Sequence, residues 1–126
     1  MKHYAKGLSI ALTATSGLVL AGCGAAADAG IFISTDGGSA YTQSSVLDVE
    51  KSFADRSVSA LATNPAATQT VYAGLEDGGV VISDDGGMSW RSTVLREGSP
   101  RGIAINPGGT EVYLAYGSQV IVSRDG

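Results

Sequence analysis

The sequence predicts an all-β protein built from repeated units of four short antiparallel strands. Two segments recur along the 126 residues. GIFISTDGGSAY at residues 30–41 matches GVVISDDGGMSW at residues 79–90, and a third copy, QVIVSRDG, occupies residues 119–126. ALATNPAATQTVYAG at residues 60–74 likewise matches GIAINPGGTEVYLAY at residues 102–116. Sequence that repeats at a regular spacing indicates stacked supersecondary units.

Each unit has the composition of short strands. LATNP reads as a strand that ends at an Asn-Pro turn, and TVYAGL is rich in β-branched and aromatic residues. GVVIS is a short apolar run typical of a strand buried on both faces, and WRSTVLRE predicts a fourth strand with partial alternation. Four short strands in about 40 residues indicate one β-propeller blade. Residues 30–126 therefore predict about two and a half blades.

The spacing of the repeats predicts one insertion. Asp36 and Asp85 lie 49 residues apart, whereas Asp85 and Asp125 lie 40 residues apart. The longer interval places extra residues at 44–57, where VLDVEKSFADR is expected to form a helical turn or a long loop.

SDDGGMSW resembles the Asp-box, or BNR, repeat, whose pattern is Ser-x-Asp-x-Gly-x-(Ser/Thr)-Trp. The first copy has Ala40 and Tyr41 where the pattern has a small hydroxyl residue and tryptophan, and the last copy matches at two positions. The matching residues are Ser83, Asp85, Gly87, Ser89 and Trp90 in the complete copy, Ser34, Asp36 and Gly38 in the first, and Ser123 and Asp125 in the last. Families with such repeats include sialidases, sortilin-type receptors, photosystem assembly factors and several glycoside hydrolases.

The resemblance implies that the box joins the third and fourth strands of a blade, and its chemistry suits a structural turn. Gly86 and Gly87 can adopt the positive φ that a tight hairpin needs. A serine hydroxyl and an aspartate can accept hydrogen bonds from the turn's own backbone. Trp90, just past the turn, is expected to pack between a blade and its neighbour.

The N-terminus predicts a lipoprotein signal peptide at residues 1–22. Lys2 and Lys6 precede an uncharged run at residues 7–22, which is shorter and more polar than most spanning helices. Leu20-Ala21-Gly22-Cys23 resembles the bacterial lipobox, which implies cleavage between Gly22 and Cys23 and lipidation of Cys23. An ordinary signal peptide and a retained helix are the alternatives. Cys23 is the only cysteine, so an internal disulfide is excluded.

Such an anchor would place the protein outside the cytoplasm, on the cell membrane or the outer membrane. Residues 23–29 would form a short linker, and 104 residues would remain after cleavage. Cleavage would remove Lys2, Lys6 and the only histidine, His3, and would change the net charge from −4 to −6. An acidic chain lacks the basic surface of nucleic-acid-binding proteins.

No cofactor, metal site or catalytic residue is predicted within the 126 residues. An EF-hand would need an acid at its twelfth position, which SDDGGMSWRSTV lacks. Asp84 and Asp85 are adjacent, which is unfavourable for a pair of carboxylates acting on one substrate. Arg91, Arg96 and Arg101 could form an anion clamp as in sialidases, although solvated charges are the simpler interpretation.

Propellers usually have 4 to 8 blades, so we expect this sequence to be the N-terminal part of a longer protein. Assembly of partial propellers into an oligomer is the alternative. The first functional hypothesis is a non-catalytic, membrane-anchored scaffold for a protein or glycan. The others are the opening part of a propeller glycosidase with catalytic residues beyond Gly126, and a scaffold similar to photosystem assembly factors.

The lipid anchor is tested by Cys23→Ser. Because the thiol is the expected site of acylation, the variant should leave the membrane fraction. Fractionation followed by immunoblotting measures its location and its processing. An unprocessed variant that still fractionates with membranes would contradict the lipobox interpretation.

Overall fold

A computed structural model describes residues 29–47 and 51–125. These residues form eleven strands in four antiparallel sheets, and they contain no helix. The predicted helical signal peptide, the cleavage site at Gly22 and Cys23, and nearly all of the linker lie outside the described residues. Within the described residues, no helix is long and apolar enough to span a membrane.

The first two sheets are short strand pairs. The first sheet pairs β1 with β2, and the second pairs β3 with β4. Their bounds are β1 Phe32–Ile33, β2 Thr42–Gln43, β3 Val46–Leu47 and β4 Lys51–Ser52. The loop between β1 and β2 is STDGGSAY, so this pair corresponds to the last two strands of a unit.

The third sheet is a complete four-stranded unit in the order β5-β6-β7-β8, with all pairs antiparallel. Its strands are β5 Val58–Asn64, β6 Ala67–Leu75, β7 Gly79–Ser83 and β8 Arg91–Ser92. All five residues of β7 are buried, in agreement with the prediction for GVVIS. We call this sheet the central sheet.

The fourth sheet repeats the first three strands of the central sheet, in the order β9-β10-β11. Its strands are β9 Pro100–Ile105, β10 Val112–Tyr116 and β11 Gln119–Ser123. We call it the last sheet. Apart from the β3–β4 pair, the described residues therefore form two strands of one unit, four strands of the next and three strands of a third. This all-β antiparallel architecture agrees with the predicted fold class.

Both faces of the central sheet are covered by apolar side chains. One face packs toward β1–β4 in a cluster that contains Phe53, Ala73, Leu75, Val81 and Trp90, flanked by Ile31 and Leu47. The opposite face packs on the last sheet in a cluster of Tyr72, Val80, Ile82, Val112 and Leu114. Alternate residues along β6 and β7 therefore enter different clusters, as the two-residue period of a strand requires.

The insertion at residues 44–57 differs from the prediction. In place of a helical turn or a long loop, it contains the antiparallel pair β3–β4 and delivers Phe53 to the core, where its side chain is 1% exposed. The Phe53 and Trp90 rings meet edge to face, with centroids 5.9 Å apart. The prediction missed this because the partner of Phe53 lies far away in sequence.

The fourth strand of the central sheet is shorter than WRSTVLRE predicts. It ends at Ser92, because Thr93 turns its hydroxyl back to donate to the Val80 carbonyl at 2.9 Å. The same hydroxyl accepts the Leu95 N–H at 3.1 Å, and Val80 N–H donates to the Leu95 carbonyl at 2.8 Å. The side chain of Thr93 therefore closes a turn where a longer strand was expected.

Tyr72 and Tyr113 occupy equivalent positions, and the sequence predicts that both pack. Tyr72 is buried as expected. Tyr113 is exposed, and its hydroxyl donates to the Glu111 carboxylate at 2.9 Å. The prediction for Tyr113 was wrong because its face of the last sheet has no neighbour among the described residues.

The contribution of Trp90 to stability can be measured with Tyr41 as its matched control. Trp90→Ala removes a buried ring from between two packed layers, so it should lower the free energy of unfolding by about 3 kcal/mol or more. Tyr41→Ala and Arg91→Ala affect exposed side chains and should each cost less than about 0.5 kcal/mol. Denaturant titrations followed by circular dichroism measure the differences. Equal small losses would show that Trp90 does not support the fold.

Candidate functional site

Residues 83–90, which we call the second box loop, form a turn between the third and fourth strands of the central sheet. The Ser83 hydroxyl donates to Asp85 Oδ1 at 2.7 Å and accepts the Gly87 N–H at 2.7 Å. Asp85 Oδ1 also accepts the Ser89 N–H at 2.9 Å, and Asp85 Oδ2 accepts the Ser89 hydroxyl at 2.5 Å. These side chains thus bind their own turn.

Residues 34–41, the first box loop, have nearly the same geometry. The Ser34 hydroxyl donates to Asp36 Oδ1 at 2.7 Å and accepts the Gly38 N–H at 2.7 Å. The glycine pairs of the two loops share φ values of 76° and 95°, which favour glycine because they lie in the left-handed region. Two loops 49 residues apart therefore adopt one conformation.

The first two copies differ in the donors that their aspartate receives. Asp36 Oδ1 accepts the N–H groups of Ser39 and Ala40, both at 3.0 Å. Ala40 stands where the second loop has Ser89, so Asp36 lacks the hydroxyl donor that Asp85 has. In the last copy, the Ser123 hydroxyl donates to Asp125 Oδ1 at 2.5 Å.

These hydrogen bonds hold the aspartates in the charged form. The Ser89 hydroxyl, with the N–H of Ser89 and the Ser83 hydroxyl, lowers the pKa of Asp85 from 3.8 to about 2. The Ser34 hydroxyl, followed by the Ala40 N–H, also lowers the pKa of Asp36. A carboxylate stabilised as an anion is a poor general acid, because catalysis favours a pKa near the working pH.

Ser44, which sequence reasoning did not single out, connects the second box loop to β2. Its hydroxyl donates to the Gly87 carbonyl and accepts the Trp90 indole N–H at 3.2 Å. The Ser44 N–H donates to the Ile31 carbonyl at 2.7 Å. Because Ser44 is buried, it satisfies the indole N–H at a site that water does not reach. Nothing local in the sequence marks this role, since its partner lies 46 residues away.

A groove with a cavity volume of about 390 Å³ lies between the central and last sheets. Its floor is apolar, and its rim carries two guanidinium groups, one carboxylate and several hydroxyls. The floor includes Tyr72, Val80, Ile82, Val112 and Leu114, and the rim includes Arg91, Ser92, Thr93, Arg96, Ser123 and Asp125. Burial raises the pKa of Tyr72, so its phenol stays neutral at physiological pH.

The predicted arginine clamp is brought together only in part. Arg91 and Arg96 line this groove, whereas Arg101 does not. Arg91 also pairs with Asp84 at 3.0 Å in an exposed ion pair. An exposed pair of this kind stabilises a protein by at most about 1 kcal/mol, so Arg91 can change partners at low cost.

Asp84 and Asp85 do not act as a pair. Asp84 binds Arg91 outside the turn, whereas Asp85 binds the backbone and hydroxyls within it. Within residues 29–47 and 51–125, no group of three or more His, Cys, Asp or Glu side chains is placed to hold a metal ion.

The crystal structure of an ancestral GH74 enzyme is similar to this chain. The two are 28% identical, the match covers 70% of this chain, and the TM-score is 0.56. That enzyme is a glycoside hydrolase with a β-propeller-type fold, so the similarity supports a propeller-like fold here. The chain spans 11% of the length of that enzyme. No protein-family model matches the chain, and no curated protein matches it.

The structural role of Asp85 predicts a defined dependence of stability on pH. The folded pKa of about 2 lies below the ordinary 3.8, so the carboxylate stabilises the fold above pH 4. That contribution is lost as the pH falls through about 2. Asp85→Asn should therefore lower the free energy of unfolding by about 1 kcal/mol at pH 7, and the difference from wild type should shrink toward pH 2.

Asp84→Asn is the matched control, because it removes an adjacent carboxylate that binds only outside the turn. It should change the free energy of unfolding by less than about 0.5 kcal/mol at pH 7. Urea titrations at several pH values measure both variants. If the difference between wild type and Asp85→Asn were the same at pH 7 and pH 2, the charge of Asp85 would not stabilise the turn.

Proposed function

We propose that this chain is an Asp-box β-propeller segment that serves as a non-catalytic, lipid-anchored scaffold outside the cytoplasm. The two box loops support the repeat assignment, because their serines and aspartates share one hydrogen-bonding pattern and one glycine geometry. The carboxylates of Asp36 and Asp85 are engaged in holding turns. In this proposal their role is to stiffen the framework that presents a binding surface.

The groove between the central and last sheets is the observation that carries the binding role. Ligand sites usually combine an apolar floor with a few placed polar groups, and this groove has both. Guanidinium and hydroxyl groups can bind the hydroxyl oxygens of a sugar, so the rim suits a glycan ligand. The similarity to a glycoside hydrolase points to the same ligand class.

The anchor and the location of the scaffold rest on the sequence. Leu20-Ala21-Gly22-Cys23 follows a basic and then an apolar segment. Acylation at Cys23 with more than one chain would attach the protein stably to a membrane. The groove would then be presented to the periplasm or to the cell exterior.

The second candidate is part of a propeller glycoside hydrolase, and the GH74 similarity favours it. In that case the catalytic carboxylates would come from outside the described residues. The groove described here would then be one wall of a substrate cleft. The two candidates differ in whether a glycan is released or only bound.

Binding is tested with a glycan array and the purified full chain. The double variant Arg91→Ala/Arg96→Ala removes both guanidinium groups from the rim, and Arg101→Ala is the control because that arginine lies outside the groove. Wild type and Arg101→Ala should bind the same glycans, whereas the double variant should bind them at least about tenfold more weakly, as expected for lost charge-assisted hydrogen bonds.

Each result of that experiment decides between the proposals. Equal binding by all three proteins would show that the groove is not the binding site. A lack of binding to every glycan would contradict the proposal that the ligand is a glycan. Incubation of the bound glycan with the chain adds a second test. Release of new reducing ends would support the glycoside hydrolase candidate over the scaffold.

A further inference from the structure

The turn between β6 and β7 contains Asp77-Gly78, one of three Asp-Gly pairs in which both residues are described. This turn lies at the end of β7 opposite the second box loop. Asp77 is exposed and has a φ of 53°, a left-handed conformation that glycine adopts more readily than residues with a Cβ atom. Water therefore reaches an aspartate whose backbone is strained and whose successor lacks a side chain.

Arg56 binds the peptide group that joins Asp77 to Gly78. Its Nη1 donates to the Asp77 main-chain carbonyl at 2.9 Å, and its own carbonyl accepts the Gly30 N–H at 3.0 Å. When the Gly78 nitrogen loses its proton, the negative charge is shared with that carbonyl oxygen, because the two atoms belong to one conjugated group. A fixed cationic donor stabilises charge that develops at the oxygen it binds. The guanidinium therefore makes the Gly78 nitrogen a better nucleophile.

The environment of Gly78 also leaves its nitrogen accessible. A Cβ atom at this position would lie 2.8 Å from Leu75 Cβ and 3.2 Å from Arg56 Cδ, so glycine fits best. The Gly78 N–H donates to the Leu75 carbonyl at 3.3 Å, whereas the Gly86 N–H donates to the Gln69 carbonyl at 2.8 Å. The proton of Gly78 is thus held less firmly than that of Gly86 in the second box loop.

The carboxylates of the three Asp-Gly pairs differ in how firmly they are held. Asp36 and Asp85 each accept three hydrogen bonds from their own box loop. Among the described residues, the Asp77 carboxylate accepts one, from the Ser99 hydroxyl at 3.4 Å. The Ser89 hydroxyl and the other donors lower the pKa of Asp85 to about 2, and an ionised carboxylate resists attack by a nucleophile. Asp77 is therefore the aspartate best placed to react with its own backbone.

We propose that Asp77-Gly78 is a self-modification site, at which Asp77 becomes isoaspartate with water as the co-reactant. In the first step the Gly78 nitrogen attacks Cγ of the protonated Asp77 carboxyl group. A bond forms between that nitrogen and Cγ, and the carboxyl hydroxyl leaves with the amide proton as water. The product is a five-membered succinimide ring.

In the second step water opens the ring at the former Asp77 main-chain carbonyl carbon. The bond from that carbon to the Gly78 nitrogen breaks, and the nitrogen takes up a proton and keeps its bond to Cγ. The new carboxylate forms from the carbonyl that Arg56 binds, so a charge-assisted hydrogen bond replaces a weaker one. The main chain now passes through the Asp77 side chain and is one atom longer in this turn.

The proposal is independent of the proposed ligand. The groove between the central and last sheets does not include Arg56, Asp77 or Gly78 among its lining residues. A failure to bind glycans and a failure to form isoaspartate would therefore be separate results.

The modification is tested by incubating the folded full chain at neutral pH in water labelled with heavy oxygen. Each ring opening adds one heavy oxygen atom, and electron-transfer fragmentation of proteolytic peptides locates isoaspartate. Isoaspartate should accumulate faster at residue 77 than at residues 36 and 85. In urea the three pairs should become equivalent, because the contacts that distinguish them are lost. This comparison uses wild type alone and requires no variant to fold.

Arg56→Gln tests the role of the guanidinium. It should slow isoaspartate formation at residue 77 at least about threefold in the folded chain, because the cationic donor is lost. Formation at residue 36 should not change. Arg56→Lys keeps a cationic donor and should fall between Arg56→Gln and wild type. Arg101→Gln is the matched control, because it removes an exposed guanidinium from β9 and leaves the bond from Arg56 to Asp77 in place.

Fluorescence of Trp90, the only tryptophan, reports whether each variant is folded. The proposal is overturned if residue 77 of folded wild type isomerises no faster than residues 36 and 85. It is also overturned if folded Arg56→Gln reacts as fast as wild type, or if Arg101→Gln slows the reaction as much as Arg56→Gln. An equal effect of Arg56→Gln in urea would assign the rate to the local sequence and would contradict the role of the fold.

Discussion

The edge-to-face packing of Trp90 on Phe53 is the contact on which the rest of the arrangement depends. It joins the end of the second box loop to the segment that follows β4, and it closes the cluster formed by Ala73, Leu75 and Val81. The indole N–H would be costly to bury without a partner, and the Ser44 hydroxyl supplies one. The hydrogen bond and the ring contact thus both hold the central sheet against the segment that contains β1–β4.

The box loops make that contact possible by fixing where the aromatic side chain emerges. In the second loop, serine and aspartate satisfy the backbone of the turn, so Trp90 leaves it in one direction toward the core. The first loop repeats this geometry, yet its Tyr41 is exposed. The same local turn therefore yields a core residue or a surface residue according to whether a neighbouring sheet packs on it within the described residues.

This modularity explains how the groove of the proposed function arises. A row of similar sheets has much of its stability at the junctions between neighbours, and the junction between the central and last sheets leaves a groove at its rim. The groove between the central and last sheets gains its apolar floor from both sheets.

Features that depend on neighbouring residues could be predicted from the sequence. The repeat spacing identified the central and last sheets, and the buried run GVVIS identified β7. The box residues predicted turns because their hydrogen bonds join residues no more than four apart. Propensity and local hydrogen bonding act at that range, so the sequence contains the necessary information.

Features that depend on distant partners could not be predicted in this way, because they arise when the chain folds. Phe53 becomes a core residue because Trp90 reaches it, and β8 ends early because Thr93 bonds back to β7. Arg91 and Arg96 meet Asp125 at one groove, although the pattern of charges in the sequence does not bring them together. Tyr113 remains exposed although it repeats the position of buried Tyr72, because burial depends on the surface that packs against a residue.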